Sequence, residues 1–289
     1  MKVQLLATDM DGTLLDDHKR LTEKNCLALQ EAHDRGIQVV LCTGRPYQTV
    51  KPYLGQLAIP CWLVTNNGAV IRDPKGNVLH TSYLRHETLI QVVQALETPP
   101  HLYYHGSDDH YTYVKSRWQR MKNIFSFERR SLKSRQQAAF HAVDTVLLSG
   151  LHRKVNYATF SQNGGQLANL IVISQDGEAL ELKRQQLEKI PNLFLTRSGH
   201  DNLEILDRYT TKGNALAWLC RHLNLDMGNV AAIGDHENDV SMIAMAGFGF
   251  ATENAVTTAK EQAMHITCSN NEGALWEMVT LLDLKKQAG

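Results

Sequence analysis

The stretch Val3-Gln4-Leu5-Leu6-Ala7-Thr8-Asp9-Met10-Asp11-Gly12-Thr13 decides how this chain is read. Val3 to Thr8 is a short apolar run, the pattern of a strand buried on both faces. Asp9 and Asp11 follow directly, at the strand end where ligands gather in open α/β sheets. Two carboxylates this close repel one another unless a cation or a proton sits between them. Gly12 lets the backbone leave the strand sharply. An Asx turn or a surface calcium loop uses similar residues, but an EF-hand loop places its glycine later than this one.

Working outward, the first eighty or so residues alternate strand and helix signals. Thr22 caps a predicted helix running towards Arg35, with Cys26, Leu29 and Ala32 on one face and Gly36 as the stop. Ile37 to Cys42 and Cys61 to Thr65 read as further buried strands, and Pro46 suits the first turn of the helix between them. Ala69 to Ile71 and Asn77 to Thr81 flank Asp73-Pro74-Lys75-Gly76, a hairpin signal. The C-terminal part returns to the same alternation. Strands are expected at Leu203 to Leu206, Val230 to Ile233 and Ile266 to Cys268, with helices at Lys212 to Leu223, Asp239 to Ala246 and Gly273 to Leu282. Strands alternating with helices imply a doubly wound, mainly parallel sheet, an α/β fold.

The middle of the chain is mixed. Helix patterns at Glu87 to Leu96 and Gly177 to Ile190 are interleaved with strand patterns at Leu102 to Tyr104, Tyr111 to Val114, Val143 to Leu148 and Leu170 to Ile173. The expected organisation is a core of residues 1–83 plus 198–289, holding an inserted α+β domain, 84–197.

Three further motifs stand at strand ends or helix starts. Gly234-Asp235-His236-Glu237-Asn238-Asp239 follows Val230 to Ile233 and again sets carboxylates before a helix. Asp235 and Asp239 can share a cation, directly or through water, and they also suit helix capping. Thr43-Gly44-Arg45 offers a hydroxyl and backbone amides suited to a phosphate oxygen. Lys212-Gly213 opens a helix, where a lysine works against the dipole unless an anion is bound. Together they supply two carboxyl groups, a cation site, a hydroxyl and a lysine, the parts that phosphoryl transfer needs.

The set Asp9-x-Asp11-Gly12-Thr13, Thr43-Gly44-Arg45, Lys212-Gly213 and Gly234-Asp235-x-x-Asn238-Asp239 resembles the haloacid dehalogenase-like superfamily. Thr65-Asn66-Asn67-Gly68-Ala69 matches its Cof-type phosphatases, which carry a large type C2B cap between the second and third motifs. The resemblance implies a Rossmann-like core and a Mg²⁺-dependent phosphatase acting on small phosphorylated metabolites, sugar phosphates or pyridoxal phosphate. Asp9 would be the nucleophile, forming an aspartyl-phosphate and binding Mg²⁺. Asp11 would protonate the leaving alkoxide and then activate water, its backbone carbonyl also binding the metal; dehalogenases lack this second carboxylate. Asp235 would complete the protein ligands, with Asp239 in support, directly or through water. Thr43, the Gly44 amide, Lys212 and Asn238 would hold the phosphoryl oxygens beside the backbone of Met10 and Asp11. Two departures stand out: the segment Gly249-Phe250-Ala251-Thr252-Glu253-Asn254-Ala255 keeps only Asn254-Ala255 of the family's pattern, and Thr211 replaces the usual serine before Lys212. Competing readings are a phosphomutase and a non-catalytic regulatory protein that binds a phosphorylated ligand.

Composition agrees with an ordinary globular protein. The 289 residues hold 30 Lys+Arg and 30 Asp+Glu, a net charge of zero, which argues against electrostatic capture of nucleic acid or an anionic membrane. The five cysteines form no C-x-x-C pair, no apolar run is long enough for a membrane span, and the apolar run before Asp9 is too short for a secretory h-region; a cytoplasmic monomer or small homo-oligomer is expected. His105 to His110 reads as a hairpin turn rather than a metal loop, and Tyr103, Tyr104, Tyr111 and Tyr113 as sheet packing. Arg129, Arg130, Lys133 and Arg135 read as a solvated basic face.

Overall fold

The computed structural model describes residues 3–131 and 134–282. Lys133 of the basic run and the side chain of Arg130 lie outside them. The chain divides into two compact units, Met1–Ser82 with Tyr209–Gly289, and Tyr83–Arg208.

The first unit begins with β1 (Leu5–Thr8), α1 (Glu23–Asp34), β2 (Gln38–Cys42), α2 (Tyr47–Leu57), β3 (Cys61–Thr65), β4 (Val70–Arg72) and β5 (Val78–Thr81). The second follows with α3 (His86–Leu96), β6 (Tyr103–Ser107), β7 (Thr112–Val114), α4 (Arg117–Ser131), α5 (Arg135–Val143), β8 (His152–Lys154), α6 (Tyr157–Gln162), β9 (Asn169–Ile173), α7 (Gly177–Leu187), β10 (Leu193–Thr196) and β11 (Asn202–Asp207). The chain then returns through α8 (Lys212–His222), β12 (Val230–Gly234), α9 (Val240–Met245), β13 (Phe248–Thr252), α10 (Thr257–Gln262), β14 (His265–Thr267) and α11 (Ala274–Leu281).

The first unit is an α/β layer structure. Its sheet runs β14-β13-β12-β1-β2-β3-β4-β5, parallel from β14 to β3 and antiparallel across β4 and β5. Strand alternation sorts the core. Leu6, Val39, Leu41, Leu63, Ile233 and Phe250 pack against Leu29, Ala32, Val50, Leu275 and Met278 of α1, α2 and α11. Leu5, Ala7, Val40, Val64 and Ala232 pack against Leu216, Leu219, Met242 and Ala259 of α8, α9 and α10 on the opposite face. Each fully buried leucine contributes roughly 1.5–3 kcal/mol. Thr22 caps α1 by accepting from the Asn25 amide, and Gly36 leaves that helix at φ +76.

The second unit has its own sheet, β10-β11-β9-β6-β7-β8, antiparallel except for β7 with β8. One face carries Tyr104, Leu170, Val172, Leu203 and Ile205 against α3 and α7. Asp108–Tyr111 is the turn of the hairpin β6–β7, with Asp108 Oδ1 accepting from the amides of His110 and Tyr111.

Two expected strands differ. Leu203 to Leu206 is a strand, but it is β11 of the antiparallel sheet and not part of the parallel alternation. Val143 to Leu148 is no strand: α5 runs on into a π-helical turn, Asp144–Leu148, closed by the Ser149 amide on the Asp144 carbonyl. α4, α5, β8, α6, β10, β13 and α10 were not expected. No helix among the described residues is long and apolar enough to cross a membrane.

Candidate active site

Four adjacent parallel strands, β12, β1, β2 and β3, end at the same edge of the sheet. The segments that leave this edge carry Asp235, Asp9, Thr43 and Asn66-Asn67-Gly68. The Asp9 amide donates to the Ile233 carbonyl (3.0 Å) and the Thr43 amide to the Val64 carbonyl (2.8 Å), so pairing continues one residue past the strands and fixes both departures. Lys212 enters from the first turn of α8, whose N-cap Thr211 accepts from the Asn214 amide. The hydroxyl expected in place of the usual serine thus caps the helix that carries the lysine.

Lys212 is fully buried and joins two carboxylates, its Nζ lying 2.5 Å from Asp9 Oδ1 and 2.6 Å from Asp239 Oδ1. Burial pushes its pKa down, but the charges of Asp239 and Asp9 outweigh that and leave it raised, so the ammonium persists. The other oxygen of Asp239 accepts from the amides of Asp235 and His236, each at 2.9 Å. Asp235 receives the Thr13 hydroxyl at 2.7 Å. Asp9, Asp235 and Asp239 each bring a carboxylate oxygen within 4.8 Å of the others.

One lysine does not balance three carboxylates, two of them buried and Asp235 half-buried. Burial, the charge of Asp239 and that of Asp11 push Asp9 up to about 7 against the pull of Lys212. Burial, with Asp9 and Asp239, holds Asp235 well above the carboxylate range. A group of hard oxygen donors with this charge imbalance fits Mg²⁺, which prefers carboxylates and retains water. The donor set therefore suits a Mg²⁺ site. Asp239 has both oxygens engaged by protein donors, which fits support through water.

Two glycines make room for this geometry. Gly12 has φ +81, and a Cβ there would come 2.4 Å from Asp235 Oδ2. A Cβ on Gly234 would meet that of Asp239 at the same distance, 2.4 Å. Either substitution would wedge the carboxylates apart.

The other expected residues fall around this centre. Thr43 is buried, its Oγ1 accepting from the Arg45 amide at 3.1 Å. Asn238 Nδ2 donates to Asn67 Oδ1 at 2.9 Å, and the Asn67 amide donates to the Thr43 carbonyl at 3.0 Å. Gly44 passes so near Asn67 that a Cβ would lie 3.2 Å from its Oδ1. The Met10 side chain is buried in the core, leaving its backbone to the strand end. Asn254 donates from Nδ2 to the Gly12 carbonyl at 2.8 Å, tying the segment after β13 to the Asp9 loop.

Asp11 is clamped. Burial pushes its pKa up, but Arg45, through hydrogen bonds and charge, and Lys19 hold it well below the carboxylate range. Arg45 was quoted within its motif without a role, and Lys19, Tyr53, Thr13 and Asn67 had none either. The signal for Arg45 was its place one residue beyond the Thr43-Gly44 pair; Lys19 and Tyr53 meet it only through folding.

A sequence family described as haloacid dehalogenase-like hydrolase matches residues 6–279. The chain is similar to Phosphatase YwpJ of Bacillus subtilis (strain 168), at 29% identity over 96% of this chain and 99% of that protein. It is also similar to Putative phosphatase YxeH of the same organism, at 31% identity over 98% and 99%. Among solved structures, a haloacid dehalogenase-like hydrolase from B. subtilis superposes with a TM-score of 0.82 at 28% identity, covering 96% of this chain and 99% of the other.

Proposed function

This chain belongs to the haloacid dehalogenase-like hydrolases, and we propose that it is a Mg²⁺-dependent phosphatase hydrolysing small phosphorylated metabolites through an aspartyl-phosphate on Asp9. The observation that carries this reading is the cluster of Asp9, Asp235 and Asp239, with buried Lys212 joining Asp9 to Asp239. Relatives whose names contain phosphatase, aligned over nearly the whole chain, support it. Asp9, Asp235 and the Asp11 carbonyl, with Asp239 in support, would hold Mg²⁺, which supplies neutralisation of the phosphoryl charge and so lets two anions approach.

The residues then divide the work. Lys212 donates to one oxygen of Asp9, favours its ionised form and orients it for attack. A carboxylate oxygen of Asp9 bonds to phosphorus as the leaving oxygen departs with a proton from Asp11. Water then attacks the acyl phosphate and gives its proton to Asp11, which frees Asp9 and inorganic phosphate. Thr43, the Gly44 amide, Asn238, Lys212 and the backbone of Met10 and Asp11 hold the phosphoryl oxygens. The Tyr83–Arg208 unit is assigned the choice of substrate as a cap, with sugar phosphates and pyridoxal phosphate as the classes to screen first.

The test is turnover of 4-nitrophenyl phosphate with Mg²⁺, after chelation, and in Asp9→Asn. Chelation is expected to abolish turnover reversibly, and the substitution to lower kcat on the order of 10³-fold or more. Full activity in Asp9→Asn would overturn the covalent mechanism.

A further inference from the structure

The side chain of Asp11 is part of a closed ring of four residues. Arg45 donates from Nε to Oδ2 at 2.6 Å and from Nη2 to Oδ1 at 2.7 Å. Lys19 Nζ lies 2.8 Å from the same Oδ1. Tyr53 completes the ring: its hydroxyl accepts from Arg45 Nη1 at 3.2 Å and donates to the Lys19 carbonyl at 2.9 Å. The Arg45 guanidinium also lies 5.2 Å from the centre of the Tyr53 ring.

The turn that presents Lys19 is built for that purpose. Asp16, nearly buried, accepts from the amides of His18 and Arg20 on one oxygen and from the Arg20 guanidinium on the other. The Lys19 amide donates to the Asp16 carbonyl, and Lys19 sits at φ 60. A left-handed backbone costs a lysine about 1 kcal/mol or more, a cost glycine would not carry. The lysine side chain is therefore what the turn displays.

A carboxylate has roughly four acceptor positions, two on each oxygen. Among the described residues, Asp11 has both positions on Oδ1 filled, by Arg45 and by Lys19, and one on Oδ2, by Arg45. We propose that Lys19 is a positioning residue for Asp11: by filling the second position on Oδ1 it leaves Oδ2 as the oxygen that exchanges protons with the leaving group and with water. This rests on the reading of Asp11 as acid and base. When Asp11 takes up a proton it does so on Oδ2, the oxygen with a position to spare; that proton passes to the leaving oxygen as its bond to phosphorus breaks, and water later returns one to Oδ2 as its oxygen bonds to phosphorus. Without Lys19, Oδ1 offers a second, misdirected position, and the proton is shared between the two.

The experiment compares kcat/KM for two aryl phosphates in Mg²⁺, because 4-nitrophenolate leaves without help from an acid and phenolate does not. Lys19→Met should lose about 10-fold with phenyl phosphate, a fraction of what general acid catalysis supplies, and stay within about twofold with 4-nitrophenyl phosphate. Lys19→Arg should restore most of the loss, and Tyr53→Phe should show a smaller split of the same sign. Equal losses with both substrates, or no loss with either, overturn the proposal. Asp11→Asn is the control on the underlying reading. If it depresses both substrates alike, Asp11 is not the acid. If it shows the split and Lys19→Met does not, Asp11 is the acid and Lys19 has no part in placing it.

Discussion

Lys212 holds two buried carboxylates at once, and that sets its energetic weight. Lys212→Met would leave Asp9 and Asp239 facing Asp235 with no cation among the described side chains. Breaking a buried ion pair by removing one partner costs about 3–5 kcal/mol. We therefore expect a loss of that order in chelator, read from the denaturant midpoint, with Mg²⁺ restoring part of it and turnover still abolished. Asp9 and Asp235 were legible because each stands just past an apolar run at a strand end, so a local pattern announces its place. Asn67 and Tyr53 were not, because their partners Asn238 and Arg45 come from other loops or another turn of chain. Charge on Asp11 was readable; what its oxygens touch was not.

The start of α8 must reach the site while α9 packs beside it, and Gly213 is the point of closest approach. A Cβ there would lie 2.5 Å from the Ser241 carbonyl oxygen. Alanine gains about 1 kcal/mol of helix propensity over glycine, but the opposing atom is backbone and cannot turn away. Overpacking costs roughly 1–3 kcal/mol, so Gly213→Ala should be destabilising and should lower kcat by shifting Lys212, in paired melting and turnover measurements.

In the second unit, β6 and β8 bury His105 and His152. Burial, then the charge of Arg120, holds His105 well below its usual 6.5 and His152 at about 4. Between those values the unfolded chain takes up protons that the folded one refuses. The contribution of His152 is therefore complete above about 6.5 and falls as the pH drops towards about 4. Unfolding followed by urea at several pH values should show this slope, and His152→Gln should flatten it.

Elements were legible where period and punctuation agreed, as in α1 with Thr22 and Gly36. They were misread where an apolar run lacked a partner to define it. Asp144–Leu148 buries only Val146, and its exposed Leu147 and Leu148 gave the run a strand's composition without a strand's neighbours. The clue against placing Leu203 to Leu206 in the parallel sheet was Glu204, a buried carboxylate that needs the Ser198 hydroxyl beside it.

At the scale of the molecule, both chain ends repeat one strand–helix alternation, and that much was readable. Which strand closes the second sheet was not, since β11 borders the return and sheet membership is set by pairing far along the chain. The assignment of substrate choice to the Tyr83–Arg208 unit makes a direct prediction. Exchanging that unit with the matching segment of YwpJ should move the preference across a panel of phosphorylated metabolites while dependence on Asp9 stays. An unmoved preference would locate selection in the first unit.

The chain leaves the first unit at Ser82 and comes back at Tyr209, and the hydroxyls of Ser82 and Thr210 share a hydrogen bond of 2.6 Å. Departure and return thus form a clasp, closed whatever passes through it. The entropy of closing a loop rises only with the logarithm of its length. Over generations, the inserted segment can lengthen, shorten or be swapped for another while the clasp stays the same, so novelty can be acquired at one seam without reopening the fold on either side.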